Sequence, residues 1–328
     1  MFTSTPTAGV HRIPVHTPFA VGDVNCYLLK GDPLTLIDTG PNQGTALEQL
    51  ERGLAEHGVR VEDLELLVLT HHHADHQGLT GVVAARSGAE VAAFHALAPW
   101  LADHQQSVSA DDLFAQELMR RHGLPEQLTL LVGVLGASLH GYGSGAQVTK
   151  PLFDGDTLTL AGREFMVSHR PGHSQADLVF FDPHAGLLIA GDHLLGRISS
   201  NALITRPLNA PVDSPRPKSL LSYARSLQAT RGMPAALTLT GHGDPVSDHL
   251  ELIATRLADQ ARRAAKIHLI LAGGALSAHQ IALQMWGKVA ITQPYLTISE
   301  VLGHLDILLA DGRVNEQDSD GLSTFSAA

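Results

Sequence analysis

Between Thr70 and His76 the chain reads Thr-His-His-His-Ala-Asp-His, which places His71, His73, Asp75 and His76 within six residues. Core packing gives no reason for such a run, whereas nitrogen and oxygen donors this close together suit a divalent metal ion. Three consecutive histidines alone would say little in a chain with 20 of them; the Asp-His that follows makes the cluster specific. Single polar residues then recur, each behind a glycine: His173 in Pro171-Gly172-His173, Asp192 in Gly191-Asp192-His193, and His242 in Gly241-His242-Gly243. Asp38 stands earlier, in Leu36-Ile37-Asp38-Thr39-Gly40. Glycine at such points lets the backbone turn sharply and come close to whatever the polar side chain binds.

Strands must carry these residues. Residues 64–69 form a nearly continuous apolar run, too short for an ordinary helix, as expected of a strand buried on both faces, with the histidine cluster at its C-terminal end. Similar β-like runs over 164–168, 186–190 and 236–240 precede His173, Asp192 and His242. Near the start, 25–29 and 34–37 flank Gly31-Asp32-Pro33 and predict a β-hairpin, and 45–57 puts Leu47, Leu50 and Leu54 on one helical face. Strands and helices interleave through about the first 250 residues without a Gly-rich dinucleotide fingerprint. Residues 96–150 break this rhythm and read as a helical insert forming a lid or pocket wall. Beyond Asp248, helices over 250–271, 277–285 (with Ser277 as cap) and 297–309 lead through Asp311-Gly312 into a short strand. The expected division is a catalytic domain over 1–248, a winged-helix-like module over 249–318 and a disordered tail over 319–328.

Acidic residues outnumber basic ones, giving a net charge of −11, which argues against a nucleic-acid partner. The one cysteine, Cys26, permits no intramolecular disulfide and no thiolate metal cage, and its apolar setting suggests packing. No apolar run reaches the length of a membrane span, and the first residues lack the basic and apolar regions of an export signal, so a cytoplasmic protein is expected. His72 is expected to point away from any metal. His193 is open between a role at the site and a structural one, and Asp177 between a bond near the site and a loop cap. Trp286 and Tyr295 read as core of the C-terminal helices, and Arg262, Arg263 and Lys266 as a solvated helix face.

The His-x-His-x-Asp-His loop, followed in order by His173, Asp192 and His242 and preceded by Asp38, resembles the five motifs of the metallo-beta-lactamase superfamily over about residues 8–250. The resemblance implies an α/β (α+β) fold, a four-layer αβ/βα sandwich; the helical tail is similar to that of the lactamase-beta-2-like branch. It implies that His71, His73 and His173 hold one metal, Asp75, His76 and His242 a second, and that Asp192 bridges them. Asp38 would support the ligand loop; Asp177 stands where some members carry another histidine. Zinc is the expected ion, with iron or manganese as alternatives. Asp75 and Asp192 would be the catalytic carboxylates. Two divalent cations against these carboxylates and a bridging hydroxide leave about one positive charge, which favours an anionic transition state. The implied reaction is attack of that hydroxide on an ester, thioester or lactone carbonyl of a small molecule. Hydrolysis of single-stranded RNA or a phosphodiester, and iron-dependent oxidation of the persulfide dioxygenase kind, are the alternatives. Diiron relatives usually replace one loop histidine by glutamate, a departure that His73 does not show. A homodimer is compatible with the sequence.

Overall fold

The computed structural model, which describes residues 7–328, turns the apolar runs into β1 (Val10–Val15), β2 (Val24–Leu29), β3 (Thr35–Ile37), α1 (Gly44–Glu56), β4 (Leu66–Val68), α2 (Ala74–Gln77), α3 (Thr80–Ser87) and β5 (Glu90–Phe94). Next come α4 (Leu97–Ala102), α5 (His104–Arg121), α6 (Glu126–Ala137), β6 (Lys150–Leu152), β7 (Thr157–Leu160), β8 (Arg163–His169), β9 (Leu178–Asp182), β10 (Leu187–Gly191), α7 (Ser219–Arg231) and β11 (Leu237–Thr240). The chain ends with α8 (His249–Leu271), β12 (Leu276–Ser277), α9 (Ala278–Trp286), α10 (Lys288–Thr292), α11 (Pro294–Ala310), β13 (Val314–Ser319) and β14 (Leu322–Ala327).

Strands β1 to β6 form one sheet in sequence order, and a second runs β11-β10-β9-β8-β7. The expected hairpin is the β2–β3 pair, with Tyr27 opposite Ile37, and β3 to β6 continue in parallel. Side chains alternate across a strand, so each strand serves two cores. Tyr27, Val68, Phe180 and Ile189 meet between the sheets, whereas their neighbours Leu28, Leu67, Phe181 and Leu188 face outward. Leu50 and Leu54 of α1 cover the first sheet; Leu220 and Tyr223 of α7 and Ile253 of α8 cover the second. The layers are therefore helix, sheet, sheet, helix, and this double cover explains why the central strands read as unbroken apolar runs.

A further core binds the insert to the C-terminal helices: Phe114 and Leu118 of α5 pack with Ile267, Ile281, Leu302 and Phe325. Buried Asp306 of α11 receives both Nη atoms of Arg216 at 2.7 and 2.8 Å, tying the loop before α7 to this module. Ser277 caps α9 as expected: its Oγ accepts from Gln280 N while Gln280 Oε1 accepts from Ser277 N. The expectation of a disordered tail over 319–328 is wrong. Asp320 and Gly321 both have positive φ (53° and 78°), the conformation of a tight hairpin turn, and they fold β14 back on β13 with Glu316 opposite Phe325. Small and polar composition hid one anchor, Phe325, which is fully buried.

Phe325→Ala should cost about 3–5 kcal/mol in urea unfolding; a change under about 1 kcal/mol would mean that the strand contributes little. His122, buried where α5 meets this module, has its pKa pushed down to about 3 by burial first and then by Arg216 and Arg121. The unfolded chain therefore takes up the proton first, and stability present above about pH 6.5 is lost as pH falls toward 3. In His122→Gln the dependence of stability on pH across that window should flatten, by up to about 1.4 kcal/mol per pH unit.

Candidate metal centre

The singled-out residues leave the C-terminal ends of strands at one edge of the sandwich. His71 lies just past β4, His73 precedes α2, Asp75 and His76 lie in that short helix, His173 lies in the loop after β8, Asp192 directly follows β10, and His242 follows β11 after Gly241. The two glycines are sterically required. Gly191 has φ +51°, and a Cβ there would lie 2.8 Å from the Thr70 side chain; a Cβ on Gly241 would collide with Asp192 Oδ1. Across the sheets, Tyr27 Oη and Asn25 Nδ2 both donate to Thr240 O, and Asn25 N donates to Gly241 O, fixing the turn that carries His242.

Asp38 anchors the loop. Its φ of +57° is unusual for a residue with a Cβ, and its buried carboxylate accepts from Thr70 N (2.9 Å), Thr70 Oγ1 (2.7 Å) and His76 Nδ1 (2.7 Å). Because Thr70 Oγ1 has given its one proton to Asp38, His71 Nδ1 must donate to that oxygen, at 3.1 Å. His173 Nδ1 donates to Asn201 O (3.1 Å) and His242 Nδ1 to Asp23 O (2.8 Å), since a carbonyl can only accept. In each neutral ring the Nε2 lone pair is then left bare.

These atoms converge. His73 Nδ1 lies 3.0 Å from His71 Nε2 and 2.9 Å from His173 Nε2, and one proton cannot satisfy both bare nitrogens. Asp192 Oδ1 is 3.3 Å from His76 Nε2, its Oδ2 is 3.6 Å from His173 Nε2 and 3.5 Å from His242 Nε2, and Asp75 Oδ2 is 3.3 Å from His242 Nε2. His76 Nε2, His242 Nε2 and Asp192 Oδ1 are buried without a hydrogen-bond partner. Tetrahedral zinc bonds imidazole at about 2.0–2.1 Å, which spaces its nitrogens about 3.3 Å apart. The donor set and the unsatisfied atoms therefore fit metal ions. Three groups could each hold one: His71, His73 and His173; Asp75, His76 and His242; and, overlapping both, His71, His76 and Asp192.

Charge divides the cluster. Burial, aided by neighbouring imidazoles, holds His71 and His73 far below the usual histidine range, so both are neutral donors. Burial also opposes charge on His76, but the carboxylates of Asp192, Asp38 and Asp75 outweigh it and push its pKa well up. Asp192 and Asp75 are likewise held low against burial, chiefly by His76.

His72 turns away as expected, its Nδ1 3.1 Å from Ser174 Oγ and its ring edge-on to Trp100. Asp177 is a loop cap: its carboxylate accepts from Ser174 N at 2.8 Å, and burial raises its pKa. His193 is not among the converging residues. Its ring is fully buried against α7, with Nε2 2.8 Å from Thr230 Oγ1 and Tyr223 edge-on; it sits in the turn that ends β10, where His193 N donates to Ala190 O. Sequence reading missed Thr70, whose place inside the histidine run was the available signal, and the carbonyls of Asp23 and Asn201, which no side-chain pattern can reveal.

Comparison with known proteins agrees with this geometry. Residues 20–242 match the family model described as the metallo-beta-lactamase superfamily. The chain is 35% identical over 306 residues to the probable metallo-hydrolase YqjP of Bacillus subtilis (strain 168), covering 93% of each. It superposes on a metallo-beta-lactamase family protein of Thermus thermophilus with a TM-score of 0.81 at 26% identity, over 98% of this chain and 99% of that one. A beta-lactamase domain protein of Burkholderia ambifaria shares the fold, with a TM-score of 0.78 at 23% identity over 98% of this chain and 92% of that one. With the ordered motifs, the layered sheets and the convergent histidines, these matches show that the chain belongs to the metallo-beta-lactamase superfamily.

Proposed function

We propose that this metal-dependent hydrolase holds two divalent ions and cleaves an ester, thioester or lactone of a small molecule. The observation that supports the reading is the convergence of imidazole nitrogens from three strand ends around Asp192, with His71 and His76 each shared between two of the three ligand groups. His71, His73 and His173 would hold one ion, Asp75, His76 and His242 the other, and Asp192 both. Such ions supply Lewis acidity that lowers the pKa of water and polarises the substrate oxygen. The chain's own part is to fix the ligands through Asp38, Thr70 and the Asp23 and Asn201 carbonyls, and to balance much of the cationic charge with Asp75 and Asp192. Nitrogen and oxygen donors favour zinc over softer ions, and Cys26 offers no thiolate, since it is buried in β2 with its pKa pushed up by that burial.

A small molecule rather than a nucleic acid suits the surroundings. A cleft of 360 Å³ opens beside His242, and its charged lining is balanced, Arg12 and Arg197 against Asp23 and Asp244. A polyanion gains little there, particularly on a protein of net charge −11. Among the described residues no helix is long and apolar enough to cross a membrane.

Elemental analysis of the purified protein should find about two equivalents of zinc, and Asp192→Ala should lower them. Turnover of an acyl-CoA, acyl-glutathione and lactone panel should fall at least about 100-fold in His71→Ala and Asp192→Ala, while Arg262→Ala keeps both metal and activity. Full activity in Asp192→Ala, or cleavage of single-stranded RNA with no acyl turnover, would overturn the reading. Asp38→Ala should weaken metal binding about 10–100-fold in competition with a chelator; an unchanged affinity would remove Asp38 from its supporting role.

A further inference from the structure

Helix α6 is turned inside out. Leu130, Leu131, Val134 and Leu135 recur at helical spacing on its outward side, and with Leu139 just past its end they leave 46 to 69% of their surface exposed. Leu113 of α5, beside Asp112 in the chain, is exposed as well. The side that α6 turns to the protein carries the small residues. A Cβ on Gly133 would lie 2.6 Å from Gln116 Nε2 of α5, and one on Gly136 would lie 3.7 Å from Asp112 Oδ1, so glycine lets the two helices lie close together. Leu128 and Val132 pack on the core that α5 shares with the C-terminal helices, and the buried Thr129 donates from Oγ1 to Pro125 O. The helix is thus held in place with its leucines outward, although a helix apolar on every side is normally buried.

Charge and area identify what covers it. Between Gln127 and Thr149 the chain has no Asp, Glu, Lys or Arg, in a protein of net charge −11. A lipid surface draws an interfacial helix through Lys and Arg on its polar face, which α6 lacks, and anionic lipid repels a protein of this charge. Side chains this open stand out from the surface and enclose no small molecule. A second copy of the chain suits the same features. Two molecules that repel through their net charge can meet where neither carries a charged group. The six side chains present roughly 500–600 Å² of apolar surface, which matches the apolar share of the about 800 Å² that each partner gives to a standard interface. One helix face can also pair with its own copy about a two-fold axis, as a closed dimer requires.

We infer that the protein is a homodimer closed by α6: the helices of two copies pack antiparallel, with Leu131 and Val134 of each near the two-fold axis and Leu130, Leu135 and Leu139 around them. Neither the metal ions nor the hydrolytic reaction enters this inference. Sedimentation velocity of the zinc-loaded protein at about 100 µM should give twice the mass of the chain. Association should tighten severalfold between about 0.05 and 0.5 M salt, as the like net charges are screened. Leu131→Asp and Val134→Asp, both at exposed positions, should raise the dissociation constant at least about 100-fold by burying unpaired carboxylates at the axis, with circular dichroism unchanged. Leu269→Asp, an exposed change on α8, should leave the dimer intact. A wild-type monomer at that concentration, a dimer that survives both α6 substitutions, or one that salt dissociates would overturn the inference. So would a wild-type monomer that floats with phosphatidylcholine vesicles and loses that binding in Val134→Asp.

Discussion

Ring nitrogens with exposed lone pairs repel one another, and burying them unpaired costs free energy. Here His71, His73 and His173 crowd such nitrogens to about 3 Å, and His76, His242 and Asp192 add unsatisfied atoms beside them. Only a cation placed among them relieves both penalties. The rest of the molecule is arranged to hold these groups together in a geometry that suits a cation.

That arrangement is a hierarchy. The two-sided burial of β3, β4, β10 and β11 makes strand ends rigid platforms, and the loops that leave them carry the polar residues. Asp38 converts the end of β3 into a clamp on the loop after β4, so that one buried carboxylate sets both the direction of His76 and, through Thr70, the tautomer of His71. Gly191 and Gly241 matter for the opposite reason, since the absence of a side chain lets the two following ligands approach. Farther out, Arg256 and the Arg216–Asp306 pair connect loops around the site to helices of the C-terminal module, making that module part of the site's frame.

Much of this was legible in the residues. Short apolar runs ended by glycine identified the strands and their ligands, because burial on both faces and close backbone approach leave a direct mark on composition. The long helices after Asp248 and the Ser277 cap were legible for the same local reasons. What failed was non-local. Nothing near 319–328 shows that Phe325 has a core to fill, although Asp320-Gly321 was a turn signal that composition obscured. The packing partners of the insert were hidden in the same way, since its apolar residues Phe114 and Leu118 meet helices more than 140 residues later. Main-chain anchors such as Asn201 O leave no mark on sequence at all.

The most direct test of a two-ion centre is anomalous X-ray scattering at the zinc edge from crystals of the zinc-loaded protein. Two adjacent peaks are expected, one within bonding distance of His71, His73 and His173, the other of Asp75, His76 and His242, with Asp192 reaching both. A single peak, or two that leave Asp192 unbound, would contradict it.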